Sequence, residues 1–215
     1  MLLSEAIARI QRGLGYRTDQ ADNIKLALEE TRQALELEPG RTLPFFLRVT
    51  EPLTLALGAS TIALPSGFIR PYYTEPPYYI GDEDAIVPLN WFDFPTLLDL
   101  YNASDPGAPL GISLRDKASP LEIRPIADAA YSLIWSYYRQ SEPLTGNDPD
   151  LNKWLIYAPQ ALWAEAGLRM ALDVRDAEAT TKFKVFREEA QIGAFREEII
   201  RESYFEGPIQ MGVNN

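Results

Sequence analysis

Proline placement constrains the fold of this chain more than any other feature. From residue 41 onward, Pro44, Pro52, Pro65, Pro71, Pro76, Pro77, Pro88, Pro95, Pro106, Pro109, Pro120 and Pro125 follow one another closely. Each lacks an amide donor and clashes with the preceding helical turn, so long helices are forbidden over most of this region. Between the prolines lie short runs with strand character: FFLRVTEPLTLAL, TIALP, GFIRPYY, APLGISLRD, LEIRPI and AYSLIWSYYR. That punctuation predicts an antiparallel β region with long loops. FPTLLDLYNA is the exception, a short helix carrying Leu97, Leu98 and Tyr101.

The flanks read as helices. Leu3, Ile7, Ile10 and Leu14 share a helical face, and Gly15 is the C-terminal stop. Gly13 and Gly15 have neither a preceding strand nor a P-loop lysine, so the pair reads as a cap and not a nucleotide loop. Thr18 or Asp19 caps a second helix with Ile24, Leu28, Thr31 and Leu35 on one face, and Pro39-Gly40 ends it. The polar loop SEPLTGNDPDLN holds Asn147, Asp148, Asp150 and Asn152, but Ala158-Pro159 stands where an EF-hand calcium loop needs its glutamate. Asp148 or Asp150 is therefore expected to cap the next helix, LNKWLIYA, after which Pro159 opens PQALWAEAGLRMALD.

A final proline-free run, DAEATTKFKVFREEAQIGAFREEIIRESYF, spans roughly 45 Å if unbroken. Its apolar residues form two stripes. Phe183, Phe186, Ala190, Gly193, Ile200 and Tyr204 make one, and Val185, Ile192, Phe195 and Ile199 make the other. Arg187, Gln191, Glu198 and Glu202 mark the polar strip. A helix apolar on two sides needs two partners, either within one fold or from a neighbouring subunit. The closing FEGPIQMGVNN has no core of its own and either frays or orders against a partner. The expectation is an α+β chain: N-terminal helices over 1–48, a central antiparallel β-rich region over 49–139, C-terminal helices over 140–205 completing a helical bundle, and an extended tail over 206–215.

Composition narrows the chemistry. The chain has no cysteine and no histidine, which removes disulfides, thiolate nucleophiles and the commonest general base and metal ligand. What remains for an enzyme is a carboxylate pair of the glycoside-hydrolase kind, with Glu51, Glu75, Asp82 and Asp84 as candidates but no spacing that singles out two of them. The net charge is −11, and no segment is basic: residues 1–48 carry seven Lys/Arg against seven Asp/Glu, residues 49–139 five against eleven, and residues 140–215 eight against thirteen. A nucleic-acid binder normally presents a basic patch. No apolar run approaches the roughly 18 residues that span a bilayer. Glu5 and Arg9 inside the first apolar stretch argue against a secretory signal.

The densest aromatic stretch is YSLIWSYYRQ, where Tyr131, Leu133, Trp135 and Tyr137 point one way. A base-stacking platform needs a positive groove, and only Arg139 is basic here, so this is the buried face of a strand. Its expected partner is LEIRPI across the turn ADAA, with Leu121 and Ile123 against the rings. Tyr138 points the other way, toward a subunit contact.

Four segments in order resemble the phage head-to-tail adaptors of the tail tubular protein A-like family: TIALPSGFIRPYY, PLNWFDFPTLLDLYN, LEIRPIADAAYSLIWSYYR and LNKWLIYAPQALWAEAGLRMALDVRDAE. The resemblance implies a structural virion protein at the head-tail junction, present in the host cytoplasm during assembly. It implies a ring-forming subunit, commonly in twelve copies, that binds the portal protein on one side and the tail nozzle or tail-tube protein on the other. DNA passes through without specific binding, and neither cofactor nor membrane is involved. On that reading Tyr204, Phe205, Pro208, Ile209 and Met211 anchor the portal. Val185, Ile192, Phe195, Ile199 and Tyr138 meet the neighbouring subunit. Tyr72, Tyr73, Tyr78 and Tyr79, in the tyrosine- and proline-rich PYYTEPPYYIGDEDA, face the tail. Arg187, Glu198 and Glu202 face the lumen, where carboxylates would repel phosphates. The competing readings are a carboxylate-dependent cell-wall hydrolase carried on a phage tail and a nucleic-acid-binding module.

Overall fold

The computed structural model describes residues 1–37, 43–101, 105–144 and 152–190. The chain divides into two compact units, one from Met1–Leu47 with Ser141–Asn215 and one from Arg48–Gln140, so the second is an insertion in the first.

The helical unit begins with α1 (Leu3–Gly13) and, after a 3-10 turn at Thr18–Gln20, α2 (Ala21–Leu37). Gly15 ends α1 in the left-handed region at φ 71°, and the Tyr16 amide reaches back to the Gln11 carbonyl at 2.7 Å. These are the marks of a Schellman stop. On α2, Ile24, Leu28, Thr31 and Leu35 are all buried, as their spacing predicts.

A charged network ties α2 to the point where the chain re-enters this unit. Arg32 and Glu36 are buried side chains 2.8 Å apart. Glu36 also accepts hydrogen bonds from the Ser141 hydroxyl and amide and, at 2.7 Å, from the Trp154 indole. Arg32 donates to the Ser141 carbonyl at 3.0 Å and pairs with Glu29, whose carboxylate accepts from the Leu144 amide at 2.9 Å. Burial pushes the Glu36 carboxyl above its ordinary range, against the pull of Ser141, Arg32 and Trp154.

The β unit contains β1 (Arg48–Leu55), β2 (Thr61–Ile62), β3 (Phe68–Pro71), β4 (Tyr78–Ile80), β5 (Ile86–Pro88), β6 (Asn90–Trp91), α3 (Phe94–Leu100), β7 (Pro106–Gly107), β8 (Gly111–Ser113), β9 (Leu121–Arg124), β10 (Ile126–Ala127) and β11 (Tyr131–Arg139). One sheet runs β1-β11-β4-β5, with β3 also on β11; a second runs β2-β9-β8-β6; β7 and β10 form a short pair. Most pairings are antiparallel, but β6–β8 and β7–β10 are parallel. Pro52 and Pro88 lie on the two outer strands of the first sheet, where a missing N–H breaks no ladder. One core cluster collects Leu55, Leu133, Trp135 and Tyr137 from the first sheet with Ile62, Ile112, Leu121 and Ile123 from the second.

The expected hairpin between LEIRPI and YSLIWSYYR does not form. β9 pairs with β8 and β2, whereas β11 runs antiparallel to β1 over eight residues, from Arg48 opposite Tyr138 to Leu55 opposite Tyr131. Loop closure explains why proximity in sequence loses: each doubling of loop length costs only about 0.6 kcal/mol, less than a ladder of twice the length returns. Leu121 and Ile123 still meet the aromatic face of β11, but across the core and not along a ladder.

After the β unit come α4 (Lys153–Tyr157) and α5 (Pro159–Asp173). Asn152 caps α4, its side-chain oxygen accepting from the Trp154 amide at 2.9 Å; Asp148 and Asp150, the expected caps, lie outside the described residues. Pro39-Gly40 and Asn147 lie outside them as well. Pro159 opens α5, which is buried over most of its middle, from Ala161 to Ala171, and packs on α1, α2 and α4. A last helix, α6, covers 177–190 of the described residues and is capped by Asp176 at the Ala179 amide, 2.9 Å away.

Breaking one side of the buried network should destabilise the helical unit. Arg32→Met leaves the Glu36 carboxylate buried without its cation and is expected to cost about 3–5 kcal/mol, read as a lower denaturant midpoint for the helical circular-dichroism signal. Adding Glu36→Leu should recover much of the loss, and a double variant no more stable than Arg32→Met would contradict this assignment.

Candidate interaction surfaces

In the helical unit, α6 is keyed to α1 and α5 by one ring. Phe183 sits against Gly13 and Gly167, where an added Cβ would stand 2.3 Å from the ring at either glycine. Trp163 packs edge-on to Phe183 and, at 5.3 Å between centroids, to Phe186. Beside this contact an open groove of about 410 Å³ has Trp163, Phe183 and Phe186 in its lining and Arg9, Arg12 and Lys182 around it. The Arg9 guanidinium lies 5.8 Å from the centre of the Trp163 ring. Lys182 is held by Glu178 at 2.6 Å, while Arg9 and Arg12 are in no ion pair among the described residues. The indole N–H of Trp163 is buried and has no acceptor there. Apolar walls with a cationic rim suit an occupant that is itself apolar and acidic.

The β unit carries a surface of opposite character. β4 and β5 form a hairpin in which Tyr78 faces Pro88, Tyr79 faces Val87 and Ile80 faces Ile86. Tyr79 is buried in the core, edge-on to Tyr131 at 4.9 Å. Its neighbour Ile80 points away and is 57% exposed, and Ile86 beside it is 69% exposed. The tip is closed by the Gly81 amide on the Ala85 carbonyl at 2.8 Å. Glu83 and Asp84 both adopt positive φ, 57° and 60°, a conformation that costs a non-glycine residue about 1 kcal/mol or more. The hairpin therefore presents an apolar pair beneath an acidic, strained tip.

The residues singled out from sequence fall in several places. Tyr73 is 62% exposed, with its ring edge-on to Trp91, and Tyr78 is half-buried. Tyr72 and Tyr79 are buried. Tyr138, expected to face a neighbour, is buried too: its ring meets Tyr72 at 5.8 Å and the Arg70 guanidinium at 5.3 Å. That face of β11 is closed within the unit, because the Tyr72 ring and the Arg70 guanidinium lie over Tyr138. On α6, Val185 is half-exposed, and Arg187 lies 3.9 Å from Glu165 of α5. Ile192, Phe195, Ile199, Glu198, Glu202, Tyr204, Phe205, Pro208, Ile209 and Met211 lie outside the described residues.

Two of the four carboxylates of the hydrolase reading, Glu51 and Glu75, are occupied otherwise. Glu51 accepts from the Tyr137 hydroxyl and pairs with Arg139 at 3.0 Å; burial, reinforced by Glu51, drives that hydroxyl far above its ordinary range. Glu75 accepts from Ser136 at 2.8 Å. Among the described residues no group of three or more acidic side chains is placed to hold a metal ion, and no helix is long and apolar enough to cross a membrane. The groove and the exposed Ile80–Ile86 pair were not read from the sequence. The groove draws on three separate helices, and the hairpin signal, YYI and AIV around Gly81, is masked by the prolines beside it.

The class of the protein follows from its family: a structural phage adaptor, not an enzyme. The chain belongs to the SU10 adaptor protein family, which matches it over residues 1–211. Its place is accordingly in the virion, bound to other virion components. No curated protein matches the chain.

Burial separates tyrosines that hold the fold from those that can meet a partner. Tyr79→Ala should cost about 3–5 kcal/mol in chemical denaturation, whereas Tyr73→Ala, which gives up one edge contact with Trp91, should cost no more than about 1.5 kcal/mol. Equal losses at both positions would contradict the placement of Tyr73 on the surface.

Proposed function

We propose that the chain forms the ring-shaped adaptor between the capsid portal and the tail, joining the two and leaving a channel for DNA. The observation that carries this reading is the adaptor-family match over residues 1–211. A helical unit with an inserted β unit gives the chain two compact bodies with which to meet two partners.

In this reading twelve copies close the ring, and Val185, Ile192, Phe195 and Ile199 line the contact between neighbours. The exposure of Val185 supports that placement. Tyr73 leads the tail-side face, with Tyr72, Tyr78 and Tyr79 behind it, and its exposed ring supports this. Arg187, Glu198 and Glu202 lie toward the lumen, where the net charge of −11 keeps the wall from gripping the genome. The segment with Tyr204, Phe205, Pro208, Ile209 and Met211 docks on the portal, each apolar anchor contributing about 1–3 kcal/mol.

Deleting residues 206–215 should abolish capture of the protein by its portal in a pull-down, with the circular-dichroism spectrum and melting point unchanged. Normal capture of the truncated chain would remove the tail as the anchor.

A further inference from the structure

We propose that the acidic β4–β5 hairpin of one copy docks into the Arg9–Arg12–Lys182 groove of the next, a head-to-tail contact that rests on the ring reading. The two surfaces complement each other in charge and in apolar character. The groove has three cations around an aromatic lining of Trp163, Phe183 and Phe186. The hairpin tip has two exposed acidic residues, Glu83 and Asp84, above the exposed Ile80–Ile86 pair. Basic residues are the minority charge in this chain, 20 against 31 acidic ones, yet Arg9, Arg12 and Lys182 all gather at this one groove. Glu178, which holds Lys182 from the same helix turn, is the nearest competitor for the incoming carboxylates.

The hairpin has the form of an inserted element. It is the outer edge of its sheet, where a further chain can approach. Its tip holds Glu83 and Asp84 in the left-handed region where glycine would be relaxed, so acidic side chains occupy these positions against a backbone preference. The groove and the hairpin are different patches of the same chain. A contact between them on neighbouring copies is therefore heterologous, and heterologous contacts close into rings when the rotation permits.

The absence of cysteine makes the test direct. Asp84→Cys and Arg12→Cys, introduced together, put one partner thiol on each surface and no other thiol in the molecule. The oxidised double variant, at high concentration in solution and bound to its portal, should run under non-reducing denaturing conditions as a ladder of multimers, with at least tenfold more linked product than either single variant. No ladder in either setting, or only an internally linked monomer, overturns the proposal. As a second measure, Glu83→Lys with Asp84→Lys, and Arg9→Glu with Arg12→Glu, should each weaken assembly, and combining the two sets should restore it. Combined chains that assemble no better than their parents overturn it as well. Wild-type capture by the portal distinguishes the failures: capture without a ladder rejects this contact alone, whereas loss of capture rejects the adaptor reading.

Discussion

The buried Arg32–Glu36 pair is the contact on which the helical unit depends. It lies where the chain returns from a long excursion: after leaving at Leu47, the backbone re-enters the unit at Ser141, and Glu36 accepts that residue's amide and hydroxyl. The same carboxylate takes the Trp154 indole, and Arg32 takes the Ser141 carbonyl, so α2, the re-entering strand end and α4 are bound through one charged centre. An apolar contact at this point would hold the pieces together less selectively. Hydrogen bonds in a dry site fix both direction and register, and a mispaired return would leave a buried charge unsatisfied.

Within the β unit the corresponding role falls to β11. It pairs with β1, β3 and β4, and its ring face supplies Leu133, Trp135 and Tyr137 to the core. Its opposite face is covered as well: Tyr72 and the Arg70 guanidinium lie on Tyr138, and the Arg48 guanidinium lies on Tyr72. Cations stacked on tyrosines let a charged surface close over a sheet without leaving polar atoms stranded. The aromatic stretch that stands out most in the sequence is therefore wholly structural, and the surfaces that can meet a partner lie on less conspicuous residues.

The division between what could and could not be read in advance follows from range. Ile24, Leu28, Thr31 and Leu35 announce α2 because helical periodicity is local, and Gly15 announces a stop because its backbone conformation is local. The buried face of β11 was equally legible, since alternation needs only neighbours. Its partner was not, because the choice between β9 and β1 turns on a ladder between residues more than seventy positions apart. The groove and the exposed hairpin pair failed to show for the same reason. Arg9, Trp163 and Lys182 become a groove only once α1, α5 and α6 pack, and Phe183 can key that packing only because Gly13 and Gly167 leave room for its ring. Ile80 and Ile86 become a pair only when the hairpin sets them opposite each other.

A structural adaptor made this way needs no catalytic group, and its missing histidines and cysteines cost it nothing. On the proposed reading its function rests on how copies and partners fit. Native mass measurement of the purified protein, alone and after mixing with its portal, tests that claim most directly. The account predicts a monomer by itself and, on the portal, added mass equal to a closed ring of about twelve chains. A protein that adds no mass to an authentic portal, or adds only scattered single copies, would contradict it.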